Sequence, residues 1–303
     1  MIVVKYRKIW YSLSTILIAA SLFAVFAYGF NISIDFKGGA ITEARYDARP
    51  DKGLIESRIQ NLDIGGFSVR PSGENNYIIR TKELSDEEKT KLLTALEASS
   101  IERQNTVGPT AGSELKGKAI KAIVVVVAMI VLFITFAFRK VSLPAGRQGG
   151  LPSSWKYGLS TVIALAHDVI IPTGIFVFLG HYLGIEIDLL FVTGLLAILG
   201  YSVHDTIVVF DRVRENLRLN QEHNTREDFE TTVGRSVQQT FGRSINTSLT
   251  IFITLLALYF FGPAATEHFA LLLILGIIIG TYSSIFVASP LLVTFYKLQK
   301  PVK

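Results

Sequence analysis

The 303-residue chain contains no cysteine, only 18% charged residues and, in two of its connections, 180–187 and 263–267, neither lysine nor arginine. The first absence excludes disulfides and thiolate metal sites, so any domain outside a membrane must stand on its packing. The second sets the chain apart from soluble domains, which carry about a quarter charged residues. Two motifs are missing as well. No Gly-x-Gly-Asp sequence accompanies Asp168 or Asp205, and no Ser/His pair suggests a serine enzyme, so neither an intramembrane aspartyl protease nor a serine hydrolase has its usual surroundings.

Half of the residues are hydrophobic, and the mean hydropathy is +0.41. They are grouped into six stretches, roughly 11–30, 119–138, 157–179, 188–210, 245–262 and 268–296. Each approaches or exceeds the roughly 17 to 25 residues that cross about 30 Å of hydrocarbon as helix. The shortest case has 17 uncharged residues between Lys121 and Arg139. The first stretch follows Lys5, Arg7 and Lys8 as a secretory signal would. Its uncharged run from Ile9 to Ile34 is longer than a signal core, and no clear Ala-x-Ala cleavage site ends it, so it is expected to stay as an anchor.

Lysine and arginine give an orientation. Sixteen of the 30 lie at the N-terminus, in 139–156, in 211–243 and at the C-terminus. The positive-inside rule then puts both termini and these connections in the cytoplasm, and residues 31–117 outside. The net charge of +5 follows from that asymmetry and requires no nucleic acid.

Residues 31–117 are numerous enough to fold alone. Asn31 to Asp47 reads as a strand, with Ile32, Ile34 and Phe36 in period two. Lys52 to Leu62 reads as a helix, and Phe67 to Lys82 as a hairpin turning at Ser72-Gly73-Glu74-Asn75. Ser85-Asp86-Glu87-Glu88 is a capping box opening a helix to about Ala98, and Ile101 to Val107 is a last strand. The order βαββαβ predicts a ferredoxin-like α+β domain inserted after the first helix of a polytopic α-helical membrane protein.

The chemistry concentrates in the fourth and fifth stretches. Asp205 lies inside an apolar run, where a carboxylate is disfavoured by about 2.5 to 3.5 kcal/mol and marks a functional site by default. Tyr201, Ser202 and Thr206 lie within one helical turn of it. On the fifth helix Arg243, Asn246, Thr247, Thr250 and Thr254 repeat at helical spacing as a polar stripe. On the sixth, Gly276, Gly280 and Ser284 form a small-xxx-small ridge for close approach. The expectation is a narrow polar seam in which a buried carboxylate faces a fixed cation, Arg243, as a proton relay whose affinity switches when the two separate. Asp168, near the middle of the third helix, is a further relay candidate or a packing contact. Arg243 also lies near the inner interface, where it can snorkel to water as an anchor. A structural helix–helix hydrogen bond is the plainer alternative for Asp205.

His167 and His204 each precede an aspartate, but adjacent helical residues point about 100° apart, so a metal site is not expected from them. Asp211, Arg212, Arg214 and Glu215 are read as a solvated charge cluster, and Asp35 with Gly38-Gly39 as a turn. No cofactor is implied.

Five segments carry a resemblance. They are Ser33-Ile-Asp-Phe-Lys-Gly-Gly39, Val107-Gly-Pro-Thr-Ala-Gly-Ser-Glu-Leu115, Ala164-Leu-Ala-His-Asp168, the run from Gly200 to Asn216, and Gly280-Thr-Tyr-Ser-Ser-Ile-Phe-Val-Ala-Ser-Pro290. In this order, on a six-helix topology with a domain after helix one, the chain resembles the SecF family, the smaller partner of SecD in bacterial protein export and part of the resistance-nodulation-division superfamily. The resemblance spans about Lys5 to Tyr296. It implies an inner-membrane subunit, not an enzyme, that uses the proton gradient in late preprotein translocation. The implied partners are SecD, the SecYEG channel, YajC and preprotein, within the lipid bilayer. It also implies that Asp205 matches the family's intramembrane proton-handling aspartate and Arg243 the arginine used with it. The Gly/Pro-rich stretch Leu143 to Ser154 departs from the family and reads as a flexible linker. Two other functions stay open: a passive assembly subunit of the translocon, and a related proton-driven exporter of lipids or drugs. Such exporters usually carry two six-helix halves in one chain, and this chain has one.

Overall fold

A computed structural model describes residues 2–138, 154–225 and 227–298. In chain order the elements are α1 (Ile2–Lys5), α2 (Arg7–Tyr28), α3 (Ile34–Lys37), β1 (Gly39–Arg45), α4 (Lys52–Gln60), β2 (Phe67–Ser72), β3 (Asn76–Thr81), α5 (Asp86–Leu96), β4 (Ser100–Val107), α6 (Pro109–Ala137), α7 (Ser154–Leu183), α8 (Leu189–Glu222), α9 (Phe229–Phe261), α10 (Ala264–Ser283), a π-helical turn (Ser284–Ala288) and α11 (Ser289–Lys297). They divide into two units, Ile32–Lys121 and the remainder. The expected linker at 143–154 lies outside the described residues apart from Ser154, which opens α7.

In the smaller unit the four strands form one antiparallel sheet in the order β2-β3-β1-β4. Register puts Ala44, Val69, Tyr77 and Ile79 on one face. These residues form a single core with Ile55 and Ile59 of α4 and Leu92 and Leu96 of α5. The hairpin turns at Gly73, whose φ of +56° suits glycine. The first strand departs from its pattern. Residues 34–37 are a helical turn capped by Ser33, and β1 begins only at Gly39. Gly38 (φ +81°) and Gly39 (φ +130°) end the turn, and a Cβ on either would lie within 3 Å of the backbone of Pro109 or Thr81. The alternation of Ile32, Ile34 and Phe36 is therefore overridden by tight backbone packing that only glycine permits.

The capping box of α5 is complete. Glu88 N–H donates to Ser85 Oγ at 3.3 Å, and Ser85 N–H donates to Glu88 Oε2 at 2.8 Å. The Ser85 amide first, then the Ser85 hydroxyl and the Lys82 ammonium, hold the Glu88 carboxyl below the usual carboxylate range. A group depressed on folding stabilises above its unfolded pKa, and that support is lost as pH falls through the folded value. The thermal midpoint of this unit should therefore drop on acidification, and Ser85→Ala should flatten the drop; differential scanning calorimetry across acidic pH reads both.

The larger unit is helical. Among the described residues six helices are long and apolar enough to cross a membrane: α2, α6, α7, α8, α9 and the run from α10 through α11. Close approach is set by small residues. A Cβ on Gly174 of α7 would lie 2.4 Å from Ser21 Cα of α2, and one on Gly276 of α10 would lie 2.2 Å from the Ile198 side chain of α8. The small-residue ridge of α10 thus packs on α8, where Gly280 meets Ser202. Phe138, Tyr157 and Phe210 close one part of the core, with the first two rings stacked at 5.1 Å and both edge-on to the third.

The stretch 211–243, expected as a loop, is mostly helix: α8 runs on to Glu222 and α9 starts at Phe229. Asp211–Arg214, Arg212–Glu215 and Arg218–Glu222 ion pairs at helical spacing suit a solvated helix, and Asp228 caps α9 through the Thr231 N–H. Ser236 and Gln239 of α9 each accept a hydrogen bond from Asn216 of α8. Charge ended the apolar run here without ending the helix. Two prolines mark local breaks. Pro172 cannot donate to the Asp168 carbonyl within α7, and Pro290 cannot donate to Phe286 just where the helix widens into the π turn.

Candidate functional site

The polar side chains inside the helical unit gather where α7, α8, α9 and α10 meet. Asp205 of α8 is 5% exposed. Its Oδ1 accepts from Ser244 Oγ of α9 at 2.5 Å, while Oδ2 is buried and takes no hydrogen bond among the described residues. A buried acceptor left open is costly and marks a group with a task or a ligand. Thr206, next in sequence, shares a 3.0 Å hydrogen bond with Ser284 in the π turn. Tyr201, one turn earlier, hydrogen-bonds Ser248 of α9 at 2.5 Å and Thr281 of α10 at 3.3 Å. Ser248 and Thr281 meet at 2.6 Å, closing a ring of three hydroxyls.

A second buried carboxylate lies on α7. Asp168 of α7 is fully buried. Its Oδ2 accepts from Ser202 Oγ of α8 and, at 2.7 Å, from Ser283 Oγ of α10; its Oδ1 lies 2.8 Å from His167 Nδ1. Ser202 therefore serves Asp168, and Ser244 serves Asp205. The adjacent pair His167–Asp168 does share one site, against the expectation from their angular separation: the side chains curl toward each other inside the core. His204, beside Asp205 in sequence, is exposed.

Of the α8 members of the expected seam, Tyr201 bonds to Ser248 and Thr281, Ser202 to Asp168 and Thr206 to Ser284, and none of the three bonds to Asp205 among the described residues. Arg243, Asn246, Thr247 and Thr250 are all exposed, and the Arg243 charge is near enough to act on the Asp205 carboxyl. Thr250 and Thr254 spend their hydroxyls on the carbonyls four residues back. No ion pair joins Arg243 to Asp205 among the described residues. The face that meets the carboxylate is instead Ser244 and Ser248, with Thr240 one turn earlier. These three small hydroxyl residues recur every four positions, a signal available in sequence but masked by the bulkier polar residues between them. Ser283 was legible only as part of a motif. Chemically, the assembly offers two buried carboxyl groups, each beside hydroxyls that can donate or accept, which suits holding and passing a proton.

Comparison with known proteins bears on the same helices. Residues 88–146 and 150–298 match the family profile of the C-terminal region of SecD/SecF protein export membrane proteins. The protein translocase subunit SecF of Thermobaculum terrenum is 38% identical over 97% of this chain and 93% of its own length. The protein translocase subunit SecDF of Thermus thermophilus is 34% identical over 95% of this chain and 37% of its own length. A crystal structure of SecDF from Thermus thermophilus, described as a translocon-associated membrane protein, superposes with a TM-score of 0.81 at 32% identity, covering 97% of this chain and 38% of that one.

Proposed function

We propose that this chain, which belongs to the SecF family of protein translocase subunits, couples the proton gradient to a late step of preprotein translocation, with Asp205 as the group that takes up and releases the proton. Membership alone makes it a Sec translocase subunit related to SecD. The proton coupling is our reading, and the observation that carries it is the Asp205 carboxyl, buried at a four-helix junction with one oxygen unclaimed. An unclaimed carboxylate oxygen is a position at which a proton can be held.

In this reading the partner is SecD, which supplies the second six-helix half, as the length of the single-chain SecDF relative suggests. The complex works beside the SecYEG channel and YajC in the bacterial inner membrane, with both termini cytoplasmic and the sheet unit in the periplasm, where it meets emerging preprotein. The order β4-β1-β3-β2 with both helices on one face supports a ferredoxin-like domain there. Arg243, exposed on α9 in the isolated chain, is available to a charge brought by the partner half or by a rearranged α8. Asp168 is the second relay group, and the outward stripe of Asn246, Thr247 and Thr250 belongs to the same path. The helical half fits the proton-driven resistance-nodulation-division architecture.

Export by vesicles containing this chain and its SecD partner should fall when an uncoupler collapses the proton gradient, with ATP held constant. One proton crossing 100 mV releases about 2.3 kcal/mol, enough to shift a two-state domain. Export that ignores the uncoupler in the presence of the complex, yet drops when the complex is removed, would favour a passive assembly role.

A further inference from the structure

The pair His167–Asp168 is buried more deeply than Asp205, with side chains 1% and 0% exposed. Asp168 accepts from Ser202 and Ser283 on one oxygen and faces His167 Nδ1 on the other. The remaining ring nitrogen, His167 Nε2, is buried with no hydrogen-bond partner among the described residues. With Nδ1–H donating to the carboxylate, the tautomer is fixed, and Nε2 is the atom at which a proton can be gained or lost. Adding it gives an imidazolium beside a carboxylate, a pair with no net charge. Removing it leaves the pair with one negative charge. Only the N–H bond at Nε2 forms and breaks.

The titratable groups facing the pair are few. Tyr282 of α10 stacks on the imidazole at 5.8 Å, its hydroxyl donating to the Trp10 carbonyl of α2 and hydrogen-bonded to Ser14. Asp205 lies on α8, three residues beyond Ser202. No lysine or arginine pairs with either member among the described residues. The pair therefore changes charge with little local compensation, and its hydrogen bonds must carry the change.

Those hydrogen bonds lead to the other carboxylate. Ser283, which holds Asp168, immediately precedes Ser284, which holds Thr206 beside Asp205. Ser284 opens the π turn, and its carbonyl accepts from Ser289 Oγ at 2.9 Å. π turns are irregular helix segments frequently found at functional sites. A change in the grip of Asp168 on Ser283 thus acts on the residue adjacent to the one that positions α8 at Asp205.

We infer that His167 and Asp168 form a second proton-holding centre linked to Asp205 through the Ser283–Ser284 π turn, with the proton held at His167 Nε2 and Asp168 fixing the ring. The inference deepens the proton-coupled reading of Asp205 and rests on it. The test uses the complex of this chain with SecD in proteoliposomes, with ring-labelled histidine followed by solid-state NMR and with proton uptake recorded against pH. One histidine signal, absent in His167→Gln, should change between its two protonation states during turnover in the wild-type complex and should be altered in Asp168→Asn, which removes the adjacent charge. His167→Gln should keep co-purification with SecD and change the pH profile of uptake. Asp205→Asn, run in parallel, should abolish uptake. A His167 signal that stays in one protonation state between about pH 5 and 8 overturns the inference, as does an unchanged uptake profile in an assembled His167→Gln complex. Either result leaves the role of Asp205 intact. Normal uptake in Asp205→Asn would instead remove the underlying reading, whatever the histidine does.

Discussion

Membrane vesicles bearing Asp205→Asn should lose proton-driven export while the complex with SecD still co-purifies. Asparagine has nearly the volume of aspartate and can still accept from Ser244 Oγ through its carbonyl. The packing of α8 against α9 is therefore kept, and what disappears is the ability to exchange a proton. At 100 mV the loss of one coupled proton removes about 2.3 kcal/mol of driving force, roughly a fiftyfold change in the rate or population it sustains. Asp205→Glu should fall between the two, because it keeps the proton but lengthens the side chain in a packed site. The measurements are proton uptake and preprotein export in the same vesicles, with SecD recovery as the assembly control. Full export in assembled Asp205→Asn vesicles would assign Asp205 to structure alone.

Gly174→Leu should give the largest loss of stability in the helical unit. At this position α7 and α2 approach so closely that a Cβ would sit 2.2 Å from Ser21 Cβ and 2.4 Å from Ser21 Cα. A flexible side chain could swing aside, but a backbone atom cannot, so the helices must separate. Overpacking in a core typically costs about 1 to 3 kcal/mol and occasionally more, and a clash with backbone belongs at the upper end. The neighbouring contacts of α2 with the last span, including Ser14 to Tyr282 and Tyr11 to Thr294, would be stretched with it. A thermal-aggregation midpoint of the detergent-solubilised chain, compared with the unsubstituted chain, measures the effect, and Gly174→Ala, which carries the same Cβ, should already lower it. An unchanged midpoint in Gly174→Leu would show that α2 is free to move off α7.

Much of this architecture is legible in the sequence because membrane insertion is governed by length and composition, which a chain displays openly. All six apolar stretches became helices, and the capping box and the Gly73 hairpin were specified by local chemistry. The strand reading of Ile34 to Phe36 failed because glycine-mediated backbone contacts, invisible in a hydrophobic pattern, decided that segment. In the candidate site, α8 was legible, since Asp205 and its hydroxyl neighbours lie within one turn. On α9 the small Ser244 and Ser248 were overlooked, because polarity alone does not say which side of a helix is buried: they are buried while Arg243, Asn246, Thr247 and Thr250 are exposed. The grouping of His167 with Asp168 depended on side-chain rotamers, which sequence spacing does not fix.

The helical hairpin of α8 and α9 has a mechanical consequence. α8 has 34 residues, about 51 Å at 1.5 Å per residue, against about 30 Å of hydrocarbon. Some 17 residues, or about 25 Å, separate Asp205 from Glu222 at its far end. The two rods are joined by Asn216 with Ser236 and by Asn220 with Thr232, and Asn220 also holds Glu227 just before α9, so the hairpin is tied along this length. A tilt of about 5° at the carboxylate would carry the tip roughly 2 Å over that span, turning a sub-ångström rearrangement around one side chain into a displacement that a neighbouring protein can feel.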